Sequence, residues 1–169
     1  RLTRLYLRFS LTGSLLERFP SILLRLTSED TRARQKMIDK LVRSKHPDVV
    51  GPIAAMLDDV PDVCLAAIRA LVQLGDPSGV LPLTECLTNE EFWVRAETAE
   101  ALGELKDWRA VQPLVKALGD SDPRIGSYAA RALGKIGGAE AVELLINALE
   151  SPDPVIRENA AAGLGIIKN

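Results

Sequence analysis

Apolar positions return along this chain about every 31 residues. Leu41, Leu71, Leu102, Leu133 and Leu164 form one column, at intervals of 30, 31, 31 and 31. Val50, Val80, Val111 and Val142 form a second, and Leu57, Leu87, Leu118 and Leu149 a third. Three columns in one register define a repeat, and a repeat of this length implies stacked supersecondary units that share a continuous core. In the copy spanning residues 89–119, Val94, Thr98, Ala99, Leu102 and Leu105 mark one face of a helix, with Glu97, Glu100 and Glu104 on the other. Lys106 and Asp107 form a turn, and a second helix buries Val111, Leu114, Val115 and Leu118. Each copy is therefore read as an antiparallel pair, a first helix A and a second helix B.

The punctuation agrees. Asp122-Pro123 and Asp153-Pro154 each place a capping carboxylate before a proline at the first helical position, where its missing amide has no intrahelical partner to lose. Asp76-Pro77 repeats this ahead of a helix B, and Pro52, Pro82 and Pro113 recur in the first turn of that helix. Gly75 and Gly137-Gly138 stand where helix A must stop and reverse, positions that favour positive φ. Gly103, Gly134 and Gly165 follow the leucine column, which predicts close approach of neighbouring helices there.

The expected fold class is an all-α right-handed solenoid of stacked antiparallel helix pairs, about five repeats in one domain over residues 1–169. Residues 1–26 form a degenerate first pair, with Leu2, Leu5 and Phe9 in helix A and Phe19, Ile22, Leu23 and Leu26 in helix B. Residues 27–150 hold four full pairs. Residues 151–169 hold a terminal unpaired helix, whose Ile166 and Ile167 make a poor polar cap. That helix, and a start at Arg1, give the expectation that the chain belongs to a longer one.

Composition narrows the function classes. No apolar run approaches the roughly 18 to 20 residues that cross a bilayer, and two cysteines make no disulfide framework, so a cytoplasmic location is expected. The net charge of −2 hides an asymmetry: residues 1–50 hold 11 basic and 5 acidic side chains, residues 51–169 hold 10 and 18. The basic end is suited to an acidic partner or to head-to-tail self-association, as is the unpaired last helix. Non-specific nucleic-acid binding is not expected of so acidic a chain.

Trp93-Val94-Arg95, Ala99, Ala101-Leu102-Gly103, Ala110-Val111, Pro113-Leu114 and Leu118, together with Asp153-Pro154-Val155-Ile156-Arg157 and Ala160, resemble HEAT-like repeats of the short kind named after phycobilisome bilin lyases. The resemblance covers about residues 27–169. It implies that Arg34, Arg95 and Arg157 pair with acids of neighbouring repeats, although Cys64 and Gly126 interrupt the column. It also implies an enzymatic alternative, a bilin lyase-like or isomerase-like subunit handling a phycobiliprotein chromophore.

Residues for chemistry are few. His46 is the one histidine, so a multi-histidine metal site is not expected, and the paired His-Glu motifs of the HEAT-like deoxyhypusine hydroxylases are missing. Cys64 and Cys86 have no histidine partner in sequence and are read as packing residues. Gly137-Gly138 lacks the Lys-Ser/Thr of a phosphate loop. No catalytic, cofactor-binding or metal residue is assigned, and no cofactor is expected.

The leading expectation is a non-catalytic scaffold that binds another protein on the B-helix face. Removing buried positions leaves Gly51, Leu81, Gln112 and Glu143 in one exposed column and Ala55, Glu85, Lys116 and Asn147 in another. Trp108 opens a helix B and is a candidate anchor. A structural spacer within a larger protein is the third reading.

Overall fold

A computed structural model describes residues 12–167, apart from the side chain of Leu23; every regular element in that range is helical. Leu2, Leu5 and Phe9, expected in a first helix A, lie outside the described residues. The chain divides into two compact units, one ending at Gly79 and one beginning at Val80.

The first unit contains α1 (Gly13–Arg18), α2 (Ile22–Leu26), α3 (Thr31–Ser44), α4 (Val50–Ala54) and α5 (Pro61–Leu74). The two 14-residue helices, α3 and α5, pack side by side, with α2 against α3 and α4 against α5. Leu15, Ile22, Met37, Ile38, Leu41, Ile53, Ile68 and Leu71 are sealed from solvent, and Cys64 is buried among them. His46 has a structural role. Its Nδ1 accepts from the Asp48 amide at 3.2 Å, capping the 3-10 turn Pro47–Val49 that leads into α4.

The second unit contains α6 (Val80–Glu85), α7 (Phe92–Leu105), α8 (Val111–Ala117), α9 (Pro123–Ile136), α10 (Gly138–Ala148) and α11 (Pro154–Ile166). The long helices stack in the order α7, α9, α11, while the short α8 packs under α9 and beside α10. Val94, Leu102, Val111, Leu114, Ile125, Leu133 and Leu145 are all within 1% of full burial. Cys86 is also buried.

Caps account for where these helices begin. The side chains of Asp30, Asp122 and Asp153 accept from the amides of Arg32, Arg124 and Val155, and Pro61, Pro123 and Pro154 occupy the first helical position. Asp107 does the same for the 3-10 turn Trp108–Ala110. The ends are less uniform than the sequence suggests. Gly75 and Gly137 take positive φ as expected, but Lys45 and Lys106 take it too, at 52° each. At Lys45 and Lys106 the left-handed residue donates its amide back to Val42 and Leu102, so the reversal is imposed by the repeat whatever the side chain.

The last copy of the register is looser. Leu41, Leu71, Leu102 and Leu133 are at most 1% exposed, whereas Leu164 is half-buried; Leu57, Leu87 and Leu118 are buried, whereas Leu149 is 38% exposed. Burial in a stacked repeat comes from the neighbour on each side, and among the described residues nothing lies beyond the outer face of α11.

Candidate protein-binding surface

The polar residues of the repeat sort into those that hold the turns and those left to solvent. Arg95 belongs to the first group. Its Nε and one terminal nitrogen donate to the two carboxylate oxygens of Asp120, both at 2.9 Å, and its other terminal nitrogen donates to the carbonyls of Asn89 and Glu90 at 2.8 and 3.1 Å. Arg34 repeats the arrangement with Asp59 at 3.0 Å and the Ser28 carbonyl. Arg157 donates to the carbonyls of Ser151 and Pro152. In both complete copies the acid stands 25 residues after the arginine, at the start of the next copy in the 31-residue register, as the family resemblance implied. The fork of the guanidinium spans the turn before its own helix pair and the turn that leads into the next.

The interruptions of this column are coherent. Cys64 and Gly126 replace arginine, and the matching acid positions hold Asn89 and Ser151. At Gly126 the space is taken by Asn159 of α11, buried, whose Nδ2 donates to the Leu118 carbonyl at 3.2 Å. A Cβ on Gly126 would stand 2.2 Å from that nitrogen. These groups are structural.

The sequence-derived candidates fall in the second group. Leu81, Glu85, Gln112, Lys116, Glu143 and Asn147 are exposed on α6, α8 and α10, and the four-residue step within each helix puts both columns on one face. The turn Trp108–Ala110 packs against α6, and α8 packs against α10, so the second unit brings all these elements together. Leu81 is 54% exposed and Trp108 68%. Trp108 sits on a rigid mount: the Asp107 carboxylate accepts from the Arg109 amide at 2.9 Å and from its guanidinium at 2.9 and 2.7 Å. Trp93, at the start of α7, is 46% exposed and meets Phe92 edge-on.

Between α6 and α8 lies an open groove of about 560 Å³. Thr84, Thr88, Asn89, Pro113, Lys116 and Ser121 line it, with the Arg95–Asp120 pair also on its wall. Of these only Lys116 is a binding candidate that sequence patterning singles out. Thr84, Thr88 and Asn89 stand one position off the exposed columns or in the turn, so periodicity alone gives them no signal.

Carboxylates near the turns are acid-strengthened. The Arg124 guanidinium and amide hydrogen bonds hold Asp122 down from the ordinary 3.8 to about 2. Hydrogen bonds from Arg109 likewise lower Asp107. A native pKa below the unfolded one contributes stability that is complete above about pH 4 and lost as pH falls through about 2. Asp122→Asn should therefore flatten the fall in melting temperature between pH 4 and 2. A slope equal to that of the wild type would show that Asp122 does not carry this linkage.

Among the described residues no group of three His, Cys, Asp or Glu side chains could hold a metal ion, and no helix is long and apolar enough to cross a membrane.

A sequence model of HEAT repeats matches residues 19–102 and again 80–165. Curated proteins give no match. Among solved structures, the chain is similar to the complex of CpcE and CpcF of phycocyanin lyase from Nostoc sp. PCC7120, with 27% identity and a TM-score of 0.63. That similarity covers 94% of this chain and 65% of that one. An engineered protein is similar at 26% identity and a TM-score of 0.54, over 87% of this chain and 78% of that one. Human deoxyhypusine hydroxylase, at 21% identity and a TM-score of 0.61 over 92% of this chain and 64% of that one, shares the fold. The chain thus spans about two thirds of the length of the two natural proteins.

Proposed function

Because this chain belongs to the HEAT-repeat family, an all-α solenoid class, we propose that it is a non-catalytic scaffold that holds a partner protein on the exposed surface of α6, α8 and α10. The observation that carries this reading is the pair Leu81 and Trp108. Two large apolar side chains more than half exposed, on elements packed together, stand beside an open groove. Aromatic anchors on rigid supports are where binding energy concentrates in protein interfaces. The remaining exposed positions, Glu85, Gln112, Lys116, Glu143 and Asn147, form a polar surround of the kind found at an interface rim. A shallow groove of mixed polarity suits a peptide or helix better than a small molecule, which needs an enclosed apolar pocket.

Affinity capture from a source lysate tests the reading, with wild type beside Leu81→Asp and Trp108→Ala variants that keep the wild-type circular dichroism. A protein retained by wild type and lost by both variants is the expected result. Equal capture by all three would move the binding surface elsewhere, and no capture at all would favour a structural spacer.

The similarity to the phycocyanin lyase complex favours a second reading, a subunit that handles a phycobiliprotein chromophore. Mixing the protein with bilin and apo-phycobiliprotein should then change the visible absorbance spectrum. An unchanged spectrum would remove this alternative.

A further inference from the structure

We infer that the groove between α6 and α8 receives an arginine side chain of the bound segment, while Leu81 and Trp108 take an apolar side chain beside it; the inference rests on the binding surface proposed above.

Free donors and acceptors decide what the groove can hold. The Thr84 hydroxyl donates to the Leu81 carbonyl at 2.7 Å, and the Thr88 hydroxyl donates to the Glu85 carbonyl at 3.0 Å. A carbonyl oxygen can only accept, so both hydroxyl protons are engaged and what these side chains still offer are lone pairs. Arg95 turns its Nε and both terminal nitrogens to Asp120, Asn89 and Glu90, and Asp120 in turn accepts from the Asp122 amide at 2.9 Å. The Arg95–Asp120 part of the lining is thus a closed ion pair of no net charge. Glu90 is among the residues that line the groove, is exposed, and is in no ion pair among the described residues. Two hydroxyl oxygens and an unpaired acidic residue in the lining are complementary to a group with several donors.

The Ser121 hydroxyl turns to Asp120 at 3.5 Å, so the side-chain donors that remain are the Asn89 amide, whose Oδ1 already accepts from the Glu91 amide at 2.9 Å, and Lys116. Lys116 opposes a bound cation, but exposed acids on α6, α10 and the turns of the same unit outnumber it. Glu85 on α6, Glu90 at the turn, Glu143 on α10 and Glu150 after α10 are all exposed, and none is ion-paired among the described residues. Residues 80–169 as a whole hold 14 acidic and 9 basic side chains. The net charge of this unit is negative, which favours a basic segment and speeds its arrival. A guanidinium fits better than an ammonium, because its planar fork of five donors can address separated acceptors at once.

Spacing sets the register of the bound segment. Thr84, the first groove hydroxyl, stands three residues after Leu81, about 4.5 Å along α6, and Thr88 stands one turn further on. Residues two apart in an extended chain span about 6.6 Å, between these two distances, so a Leu-x-Arg sequence places its apolar side chain at Leu81 and its basic one in the groove.

The test uses the full chain and three pools of short fluorescein-labelled peptides, random except for a fixed central Leu-x-Arg, Leu-x-Gln or Leu-x-Glu. The Leu-x-Arg pool should bind about tenfold more tightly than the Leu-x-Glu pool, with an affinity that falls as salt is raised. Thr84→Val and Glu90→Gln should each weaken Leu-x-Arg binding, and Lys116→Gln should strengthen it. Equal or tighter binding of the Leu-x-Glu pool, or Leu-x-Arg binding unmoved by both Thr84→Val and Glu90→Gln, would overturn the inference. Equal binding of all pools that Leu81→Asp abolishes would overturn the arginine and leave the scaffold standing. Binding of no pool, or binding that survives Leu81→Asp, would overturn both.

Discussion

Leu102→Ala is expected to lower the unfolding free energy by about 2–5 kcal/mol, and Leu133→Ala by a similar amount. Both leucines are fully buried, in α7 and α9, which stack directly on one another. Truncation removes three carbons whose transfer from water is favourable and leaves a cavity that two close-packed helices cannot collapse to fill. The same substitution at Leu164, half-buried in α11, should cost distinctly less, because part of that side chain already meets water. Urea unfolding of the three variants checks the order, with the midpoint expected to move and the m-value to hold. Wild-type stability in Leu102→Ala and Leu133→Ala would mean that the 31-residue register is misassigned, and the helix pairing with it.

That register is the part of the molecule most open to reading from sequence, because it depends on periodicity repeated over several copies. Leu41, Leu71, Leu102 and Leu133 identify each other as core before any coordinate is known, and each is buried. Capping is legible for a similar reason: Asp before Pro is a local signal whose chemistry is settled within a few residues. Positive φ at Lys45 and Lys106 is not legible, since nothing in a lysine announces a left-handed residue; the length of the pair demands it. The exposed columns through Leu81 and Glu85 follow from subtracting buried positions along a helix. The groove beside them does not, because Thr84, Asn89 and Ser121 meet only after two helices and two turns are placed. Nor does the choice of acid in the arginine clamp, where Arg95 and Asp120 are 25 residues apart and their relation is visible only when the copies lacking arginine are seen to lack the acid as well.

The glycine column gives a prediction whose sign reverses with position. In a helix, glycine is less stable than alanine by about 0.5–1 kcal/mol, so three recurrences after the leucine column need a reason. At Gly103 an added Cβ would stand 2.8 Å from the Cα and 3.0 Å from the Cβ of Ala132 in α9. At Gly134 it would stand 2.6 Å from the Ile166 Cβ and 3.0 Å from the Gly163 carbonyl in α11. The Ala132 Cα is backbone, so relief requires α7 and α9 to move apart, loosening every contact between them. Gly103→Ala should therefore destabilise by about 1–3 kcal/mol, more than the helix propensity it gains. At Gly165 nothing lies within 4 Å of the added atom. There only the propensity counts, and Gly165→Ala should stabilise by up to about 1 kcal/mol. Thermal and urea unfolding of the two single variants decide the matter. Opposite signs are the expected result; a stabilised Gly103→Ala or a destabilised Gly165→Ala would show that the column answers to something other than the approach of the neighbouring helix.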